Sequence, residues 1–212
     1  MASRVRPSIW YSIALDDAVK NETTGSFDWG SALPTLPARR VDLTWLTLDD
    51  APAVFEIFGD LEVMRFWSSP PLPDLAAARD LIEEIHEHFR ARRLFQWGIR
   101  LRESGQIIGT STLYDVSLEH HRAGIGFALR RSAWGQGLAT EVLGTLIGFA
   151  FDALDLQRLE ADVDPDNHRS LATLERQSFR REGYLRERWH HLGDIRDTVF
   201  LGLLRREWAQ RA

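Results

Sequence analysis

The segment with the clearest chemical use is Trp134 to Thr140, WGQGLAT, in which two glycines precede a predicted helix. The apolar residues that follow recur at helical spacing and are Leu138, Val142, Leu146, Phe149 and Ala153. The first backbone N–H groups of a helix lack partners within it and lie at the positive end of its dipole. Gly135 and Gly137 allow a tight turn and close approach of a ligand to main-chain nitrogen. The segment therefore predicts an anion site, suited above all to a phosphate.

The stretch before these glycines predicts a strand with one nearly bare side. Its larger side chains, Ala123, Ile125, Phe127 and Leu129, alternate with Gly124, Gly126 and Ala128. A bare side allows a ligand to approach the backbone closely. Two familiar phosphate loops are excluded, because the chain has neither a Gly-Lys-Ser/Thr sequence nor a third glycine at dinucleotide spacing. A plain strand-to-helix turn is the alternative interpretation.

The glycine segment resembles the pyrophosphate-binding motif of the GNAT superfamily of acetyl-CoA-dependent N-acetyltransferases, Arg/Gln-x-x-Gly-x-Gly/Ala. Gly137 and Ala139 match its last two fixed positions, and Trp134 replaces the Arg or Gln. The longer string WGQGLATEV is similar to the branch that contains ribosomal-protein N-terminal acetyltransferases. This resemblance covers roughly residues 39 to 208.

The resemblance implies that acetyl-CoA is a co-substrate and assigns residues to it. The backbone at Phe127 and Leu129 would pair with the pantetheine arm. The loop would hold the pyrophosphate through the residues Trp134, Gly135, Gln136, Gly137, Leu138, Ala139 and Thr140. The loop acts mainly through main-chain N–H groups, so Trp134 is compatible with binding.

Asn167 and Ser170 match the Asn-x-x-Ser pattern of the same branch. The resemblance implies that Asn167 contacts the CoA arm and that Ser170 protonates the leaving thiolate. Many GNAT enzymes have a tyrosine acid four residues after the serine position, where this chain has Leu174. The alternative for both polar residues is ordinary capping of a helix.

A general base is predicted at Glu160, on the polar side of a strand from Arg158 to Val163. Desolvation beside Asp162 would raise the pKa of Glu160 toward a useful range, whereas a solvated surface position is the alternative. Other candidates are His120, His121 and Asp115, in the loop that enters the preceding strand. A water relay would replace any direct base.

No metal site is predicted. The segment Glu83 to His88, EEIHEH, is rich in ligand types, but residues two apart on a helix point to different faces and HExxH is absent. A solvated charged face is the preferred interpretation.

The surrounding pattern predicts an α+β fold, a mixed and largely antiparallel sheet with helices on both faces. Two strands that flank the helix after the glycines imply a central parallel pair, splayed around acetyl-CoA if the resemblance holds. The other predicted elements are a strand from Arg40, a helix after Asp50, a helix from Leu75 to about Arg93, a hairpin of Phe95–Leu101 and Gln106–Tyr114, a helix capped by Asp166 or Asn167, and a hairpin of Arg186–His191 and Ile195–Leu204.

The bulk properties of the 212 residues suit one domain, residues 37–212, with an N-terminal extension, residues 1–36. A net charge of −5 gives no reason to expect nucleic acid, and no apolar run approaches the roughly 20 residues that span a bilayer. The absence of cysteine excludes disulfides and favours a cytoplasmic location. Aromatic and apolar residues of the extension suggest that it docks on the domain or a partner: Phe27, Trp29, Leu33 and Leu36.

The function predicted from the sequence is transfer of acetyl from acetyl-CoA to a primary amine by direct attack in a ternary complex. The acceptor would be a protein N-terminus or a small amine, and a homodimer is one expectation because dimers are frequent in the family. A non-catalytic module that binds acyl-CoA or another protein is the alternative from a different class. An enzyme that binds nucleotide phosphates with the same loop is a second alternative.

Overall fold

One sheet of eight strands organises the chain in the computed structural model, which describes residues 27–191 and 193–210. The strands are β1 (Leu36–Pro37), β2 (Val41–Trp45), β3 (Leu94–Leu101), β4 (Ile107–Ser117), β5 (Arg122–Leu129), β6 (Arg158–Val163), β7 (Arg180–His191) and β8 (Asp194–Leu204). Their order across the sheet is β1-β2-β3-β4-β5-β6-β8-β7. Every neighbouring pair is antiparallel except β5 and β6, so the predicted mixed, largely antiparallel sheet is confirmed.

Helices cover both faces of this sheet, as predicted. They are α1 (Ala51–Phe58), α2 (Leu61–Met64), α3 (Leu75–Arg90), α4 (Leu138–Asp152), α5 (His168–Arg176) and α6 (Arg205–Ala209). One apolar cluster joins α4 and α5 to the sheet, for example through Leu146, Leu171 and Ile125. A second cluster joins α1 and α3 to the opposite face, for example through Ile57 and Ile85. We call the two sides the α4 face and the α3 face.

Local sequence signals account for where the long helices begin. The side chain of Asp74 caps α3 by accepting a hydrogen bond from the N–H of Ala77 at 2.8 Å. The four-residue helix α2 is not among the elements predicted from the sequence, and it starts where Asp60 accepts a hydrogen bond from the N–H of Glu62 at 2.8 Å. A helix this short contains too few residues to show a periodic apolar pattern.

The described part of the predicted extension packs on the domain. Trp29 and Leu33 are buried, and the ring of Trp29 lies 4.3 Å from that of Phe95. The indole N–H of Trp97 donates to the main-chain oxygen of Pro34 at 2.9 Å. Residues 1–26 lie outside the described residues, so the division of the chain after residue 36 stays a prediction.

The parallel pair of strands, β5 and β6, separates soon after it forms. Pairing ends with Gly124 opposite Glu160, although β5 continues to Leu129 and β6 to Val163. The helix α4 connects the two strands on one face. We call the opening between the diverging ends of β5 and β6 the strand gap, and its closed end at Gly124 the apex. The predicted splayed pair is thus present in the fold.

Candidate functional site

Main-chain groups of β5 line one side of the strand gap. The N–H of Arg130 donates to Ile108 of β4 at 2.9 Å, whereas the carbonyl of His121 accepts from Arg158 of β6 at 3.1 Å. Because main-chain groups alternate in direction along a strand, those of Phe127 and Leu129 face the gap. The resemblance implied these two positions. The indole N–H of Trp134 donates to the carbonyl of Leu129 at 2.6 Å, so the far end of this edge is tied to the glycine loop.

The glycine loop at the end of the gap requires left-handed backbone. Gly135 and Gly137 both have φ of +74°, and Gly137 is the N-cap of α4 without any side-chain cap. A Cβ added at Gly135 would have nothing within 4 Å, and one at Gly137 would meet only Arg40 Nη2 at 3.7 Å. The loop therefore needs glycine for its conformation, and the space beside it is open to a ligand. The uncapped N–H groups at the start of α4 are donors that fit a pyrophosphate.

Arg40 fixes the outer side of this loop. Its guanidinium bonds Glu141 Oε2 at 2.8 Å and the main-chain oxygen of Gln136 at 2.9 Å, while its N–H donates to Glu141 Oε1 at 2.6 Å. Burial opposes ionisation of Glu141, but the hydrogen bonds from Arg40 outweigh it and hold the pKa of Glu141 below its usual value. Glu141 thus stays anionic, and the positive charge of Arg40 is already compensated.

A second arginine approaches the loop from α5. The guanidinium carbon of Arg169 lies 5.2 Å from the centroid of the Trp134 ring, so the first turn of α5 meets the first residue of the loop. No carboxylate lies within ion-pair distance of Arg169 in the described part of the chain. The sequence analysis missed Arg169, although it stands inside the Asn-x-x-Ser pattern, because contact between residues far apart in sequence leaves no periodic signal.

Asn167 and Ser170 stand together at the start of α5. The side-chain oxygen of Asn167 accepts a hydrogen bond from the N–H of Ser170 at 3.2 Å and caps the helix. The capping alternative is therefore realised for this oxygen, and a contact between Asn167 and CoA stays a prediction. The residue at the position of the family's tyrosine, Leu174, is buried in the apolar cluster.

Tyr114 fills the apex of the strand gap. It lies opposite Gly124 on β4, and a Cβ added at Gly124 would lie 2.3 Å from its ring. Its hydroxyl oxygen accepts a hydrogen bond from the main-chain N–H of Asp162, beyond the last paired residues of β6. The bare side predicted at Gly124 is thus covered by an aromatic ring, whereas Gly126 is partly exposed. Sequence reasoning missed Tyr114 because its role depends on cross-strand register.

Asp162 is the carboxylate beside this tyrosine. Its Oδ1 is buried and has no hydrogen-bond partner among the described residues. Burial raises the pKa of Asp162, Glu160 and Asp115 add to the rise, and Arg188 opposes it. Burial and the carboxylates of Asp162 and Asp115 also raise the pKa of Tyr114, so its hydroxyl stays protonated.

Glu160, the predicted base, points to the same face but is engaged by two arginines. Its Oε1 accepts from Arg158 Nε at 2.7 Å and its Oε2 accepts from Arg122 Nη1 at 3.2 Å. Both carboxylate oxygens of Glu160 are thus already hydrogen-bonded to guanidinium groups. The role of Glu160 stays a prediction, and Asp162, two residues further on, differs from it in having one oxygen without a hydrogen-bond partner among the described residues.

The other candidate bases, and the histidine-rich segment Glu83 to His88, have surroundings unlike those of Asp162. His121 Nδ1 is 3.0 Å from the main-chain oxygen of Asp155, outside the gap, and His120 is exposed. Burial raises the pKa of Asp115, near Arg122 and Glu160. His86 Nε2 lies 2.9 Å from the main-chain oxygen of Leu46. Within residues 27–191 and 193–210, no group of three His, Asp or Glu side chains could hold a metal ion.

The β7–β8 hairpin encloses the α3 face at the gap. Arg196 of β8 donates to the main-chain oxygen of Arg65, after α2, at 2.9 Å and pairs with Asp164 at 3.3 Å. On the same hairpin, the indole N–H of Trp189 donates to the hydroxyl of Thr198 at 2.9 Å. Arg196 therefore links the hairpin to the α2 region and to the end of β6, where Asp164 lies two residues along the chain from Asp162.

None of the described helices is both long enough and apolar enough to span a bilayer.

Comparisons with known proteins agree with this geometry. Residues 40–180 match the acetyltransferase (GNAT) domain family. An uncharacterized N-acetyltransferase, p20, of Bacillus licheniformis is 34% identical over 177 residues, which are 84% of this chain and 99% of the relative. The spermidine N(1)-acetyltransferase of Escherichia coli (strain K12) is 24% identical over 171 residues, 81% of this chain and 89% of the relative.

A solved structure is also similar to the fold. Mycobacterium smegmatis RimJ in complex with CoA-disulfide superimposes with a TM-score of 0.74 and 25% identity, covering 82% of this chain and 88% of that one. The resemblance inferred from the glycine loop and the Asn-x-x-Ser pattern is therefore confirmed. The chain belongs to the GNAT acetyltransferase domain family and is an acetyl-CoA-dependent N-acetyltransferase.

Proposed function

We propose that this enzyme transfers acetyl to a primary amine by direct attack in a ternary complex, with acetyl-CoA entering along β5 and the amine arriving from the α3 face. One observation carries the proposal: the open glycine loop follows the far end of β5, and Asp162, whose buried Oδ1 has no hydrogen-bond partner among the described residues, lies on β6 just beyond the apex. From Gly124 to Leu129, β5 offers about 17 Å of main chain at roughly 3.3 Å per residue. That length suits an extended arm that joins a phosphate site to a reaction centre.

The cofactor-binding residues of the proposal follow the contacts of the loop. N–H groups at Gly137, Leu138 and Ala139 are placed to bind the pyrophosphate, and the gap-facing groups of Phe127 and Leu129 are placed to pair with the pantetheine arm. Arg169 lies over the ring of Trp134 and brings a positive charge to the glycine loop. The charge of Arg40, on the outer side of the same loop, is already neutralised by Glu141. We expect Arg169 to contact a CoA phosphate.

Asp162 is proposed as the general base. The incoming ammonium loses a proton to the Asp162 carboxylate, the neutral nitrogen attacks the thioester carbon, and the C–S bond breaks with its electron pair on sulfur. The nitrogen loses its second proton as the amide forms, and in the proposal this proton replaces the one that the Ser170 hydroxyl gives to the thiolate. A carboxylate whose pKa is raised accepts a proton more readily near neutral pH. Tyr114 is a positioning residue, since its hydroxyl holds the main chain of Asp162 at the apex.

Ser170 remains the proposed donor of the proton that the leaving thiolate takes up. It lies in the first turn of α5, one residue from Arg169 and capped by Asn167, so it belongs to the turn that meets the glycine loop. The hydroxyl of a single serine contributes modestly to acid catalysis. Its variant is therefore expected to have a small effect.

The acceptor is a primary amine, either at a protein N-terminus or in a small molecule. The carboxylates around the apex, Asp115, Glu160 and Asp162, favour approach of a cationic amine over an anionic acceptor. The spermidine N(1)-acetyltransferase among the relatives is named for a small-molecule acceptor, which supports the second of these two possibilities.

Calorimetric titration with acetyl-CoA, with ATP and NAD as controls, tests the proposal. A Kd between about 1 µM and 1 mM for acetyl-CoA alone, with thiol release on addition of an amine, is the expected result. Binding without thiol release for any amine would favour the non-catalytic acyl-CoA module. Stronger binding of ATP or NAD would overturn the assignment of the glycine loop to CoA.

A further inference from the structure

The pairing of β7 with β8 is interrupted in the middle of their hairpin. Leu185 lies opposite Thr198 and Trp189 lies opposite Arg196, so residues 186–188 stand against one residue of β8, Asp197. We call residues 186–188 the hairpin bulge. Its central residue, Glu187, has φ of +55°, a left-handed conformation that is unfavourable for a residue with a side chain. The bulge is therefore a strained segment that other contacts must maintain.

Asp197 maintains the bulge through two short hydrogen bonds. Its Oδ2 accepts from the hydroxyl of Tyr184 at 2.6 Å, and its Oδ1 accepts from the main-chain N–H of Glu187 at 2.7 Å. These bonds hold the pKa of Asp197 below its usual value, so the carboxylate stays ionised. Bulges beside active sites commonly redirect a side chain, and strained backbone is concentrated at functional sites. The side chains that the bulge presents are therefore candidates for a role in the reaction.

Arg188, the last residue of the bulge, lies on the acceptor side of the strand gap. Its guanidinium carbon is 5.2 Å from the centroid of the Trp189 ring. Trp189 lies opposite Arg196, and Arg196 pairs with Asp164 at 3.3 Å. Asp164 follows Asp162 by two residues, and the positive charge of Arg188 opposes the rise in the pKa of Asp162. Arg188 is thus near the proposed base.

The charge of Arg188 is not compensated. The side chain is exposed, and no carboxylate lies within ion-pair distance of it in residues 27–191 and 193–210. Arg196 differs, because it pairs with Asp164 and Asp194. Arg65, whose main-chain oxygen accepts from Arg196, is also exposed and has no ion pair within the described ranges. Two uncompensated cations, one on the hairpin and one after α2, therefore border the acceptor side.

The acceptor side thus carries charges of opposite sign at two depths. Around the apex are the carboxylates of Asp162, Asp115 and Glu160, and further out are the guanidinium groups of Arg188 and Arg65. An ammonium is attracted to the inner group and an anion to the outer group. A molecule that carries both charges complements this pattern, whereas a simple amine complements only the inner part.

We propose that Arg188 binds a carboxylate of the acceptor, so that the preferred substrate is an amine that also carries a carboxylate; this rests on the acetyl transfer proposed above. A guanidinium presents its N–H groups in a planar fork that matches the two oxygens of a carboxylate. Contact with the Trp189 ring leaves this fork free at its edge. The carboxylate belongs either to a free amino acid or to an acidic side chain of a peptide.

Steady-state kinetics with two matched pairs of acceptors tests this proposal. The first pair is 4-aminobutanoate and 4-aminobutanamide, and the second is a dipeptide amide with aspartate in its second position and the same peptide with asparagine there. In at least one pair, the wild type is expected to show a kcat/KM about 3- to 5-fold higher for the carboxylate, as for an exposed ion pair. A preference in the first pair identifies a small amino acid, and one in the second identifies a peptide.

Arg188→Gln is expected to remove this preference. The variant should also raise the pKa of Asp162, because it removes a charge that opposes the rise, but this change affects every acceptor alike and cancels in the ratio of the two kcat/KM values. Arg188→Glu is expected to reverse the ratio in favour of the amide. The preference of the wild type should shrink at high salt, because an exposed ion pair is screened.

Arg186→Gln is the matched control. Arg186 lies in the same bulge and is exposed, but its charge acts on Asp197, on which Arg188 has no such effect. This variant should keep the preference of the wild type. Both glutamine variants should also keep the Tm of the wild type, since neither arginine forms an ion pair with a described residue.

Other outcomes overturn the proposal in distinguishable ways. A preference that persists in Arg188→Gln, or that falls equally in Arg186→Gln, would mean that Arg188 does not bind the carboxylate. A wild type that acetylates butylamine but prefers the carboxylate in neither pair would remove this inference and leave the proposed function standing. A wild type that binds acetyl-CoA but acetylates no amine would remove both.

Discussion

The α4 face and the α3 face present different chemical groups to the strand gap. On the α4 face, the glycine loop and β5 present main-chain groups, and Glu141 compensates the charge of Arg40 on the outer side of the loop. On the α3 face, several buried side-chain atoms have no hydrogen-bond partner among the described residues, including Oδ1 of Asp162 and both amide atoms of Gln96. In the proposed mechanism, the cofactor is therefore bound mainly by main-chain groups, and the chemistry on the acceptor side depends on side chains.

This difference predicts how each face responds to substitution. Changes on the α4 face act through backbone strain and should alter cofactor affinity while leaving the chemistry intact. Changes on the α3 face should alter turnover or acceptor choice, and some should stabilise the protein, because a buried polar group without a partner lowers the stability of the folded state. Loss of activity together with a gain in stability is a signature that a purely structural residue does not give.

The largest effect is expected from Asp162→Asn. Removal of a general base typically lowers kcat by a factor of about 10² to 10⁴, and the acidic limb of the pH–rate profile should disappear with it. Glu160→Gln is the matched control, on the same strand and face but engaged by Arg158 and Arg122. If Glu160→Gln lowers kcat more than Asp162→Asn does, the base is Glu160.

Asp162→Asn should also stabilise the protein above acidic pH. Because burial raises the folded-state pKa of Asp162, the wild type loses stability as pH rises from the unfolded-state value through the folded-state value. The variant lacks this loss, so its Tm should exceed that of the wild type at pH 8, and the difference should shrink toward pH 4. A Tm difference that is independent of pH would show that ionisation of Asp162 is not the cause.

The next largest effect is expected from Gly137→Val. A β-branched residue at φ of +74° is strained by roughly 1 to 2 kcal/mol or more, so acetyl-CoA binding should weaken by at least about 10-fold in calorimetry. Gly148→Ala is the control within α4, where an added Cβ meets nothing within 4 Å and φ is not positive. That variant should keep its affinity and gain about 0.5 to 1 kcal/mol of stability. Equal losses in both variants would point to general damage to α4.

The same contrast explains what the sequence could predict. The glycine loop, its helix and the strand β6 were recoverable because tight turns and amphipathic periods are local; β6 spans the predicted Arg158–Val163. The parallel pair followed from the order of these elements. The strands, the turn and the helix of the proposed cofactor side were thus predictable from local patterns, and the binding role of their residues stays a prediction.

The acceptor side could not be predicted in this way. Tyr114 meets Gly124, and Gln96 meets Thr112, only because of strand register. Glu160 and Asp162 share the polar side of β6, and nothing in the sequence shows which of them Arg122 and Arg158 neutralise. The base therefore stays a prediction at Glu160 and a proposal at Asp162, two residues further along the same strand.

A smaller effect, confined to the cofactor side, is expected from Arg169→Ala. Loss of one exposed cation near a phosphate should weaken acetyl-CoA binding about 3- to 10-fold, and the loss should diminish at high salt. Arg102→Ala is the control, since that arginine pairs with Asp42 at 2.7 Å away from the gap. A weakening that persists unchanged in 1 M salt would mean that Arg169 acts by packing on Trp134 and not by its charge.

The smallest effect is expected from Ser170→Ala, and it decides whether the α4 face contributes to chemistry at all. If Ser170 protonates the thiolate, kcat should fall about 10-fold or less while the Kd of acetyl-CoA is unchanged. If the serine is only part of the α5 cap, its N–H still bonds Asn167 in the variant, and both quantities should match the wild type. A change in the Kd of acetyl-CoA with kcat unchanged would instead mean that the hydroxyl contacts the cofactor. The α4 face would then contribute only to cofactor binding, and the α3 face would carry all of the chemistry.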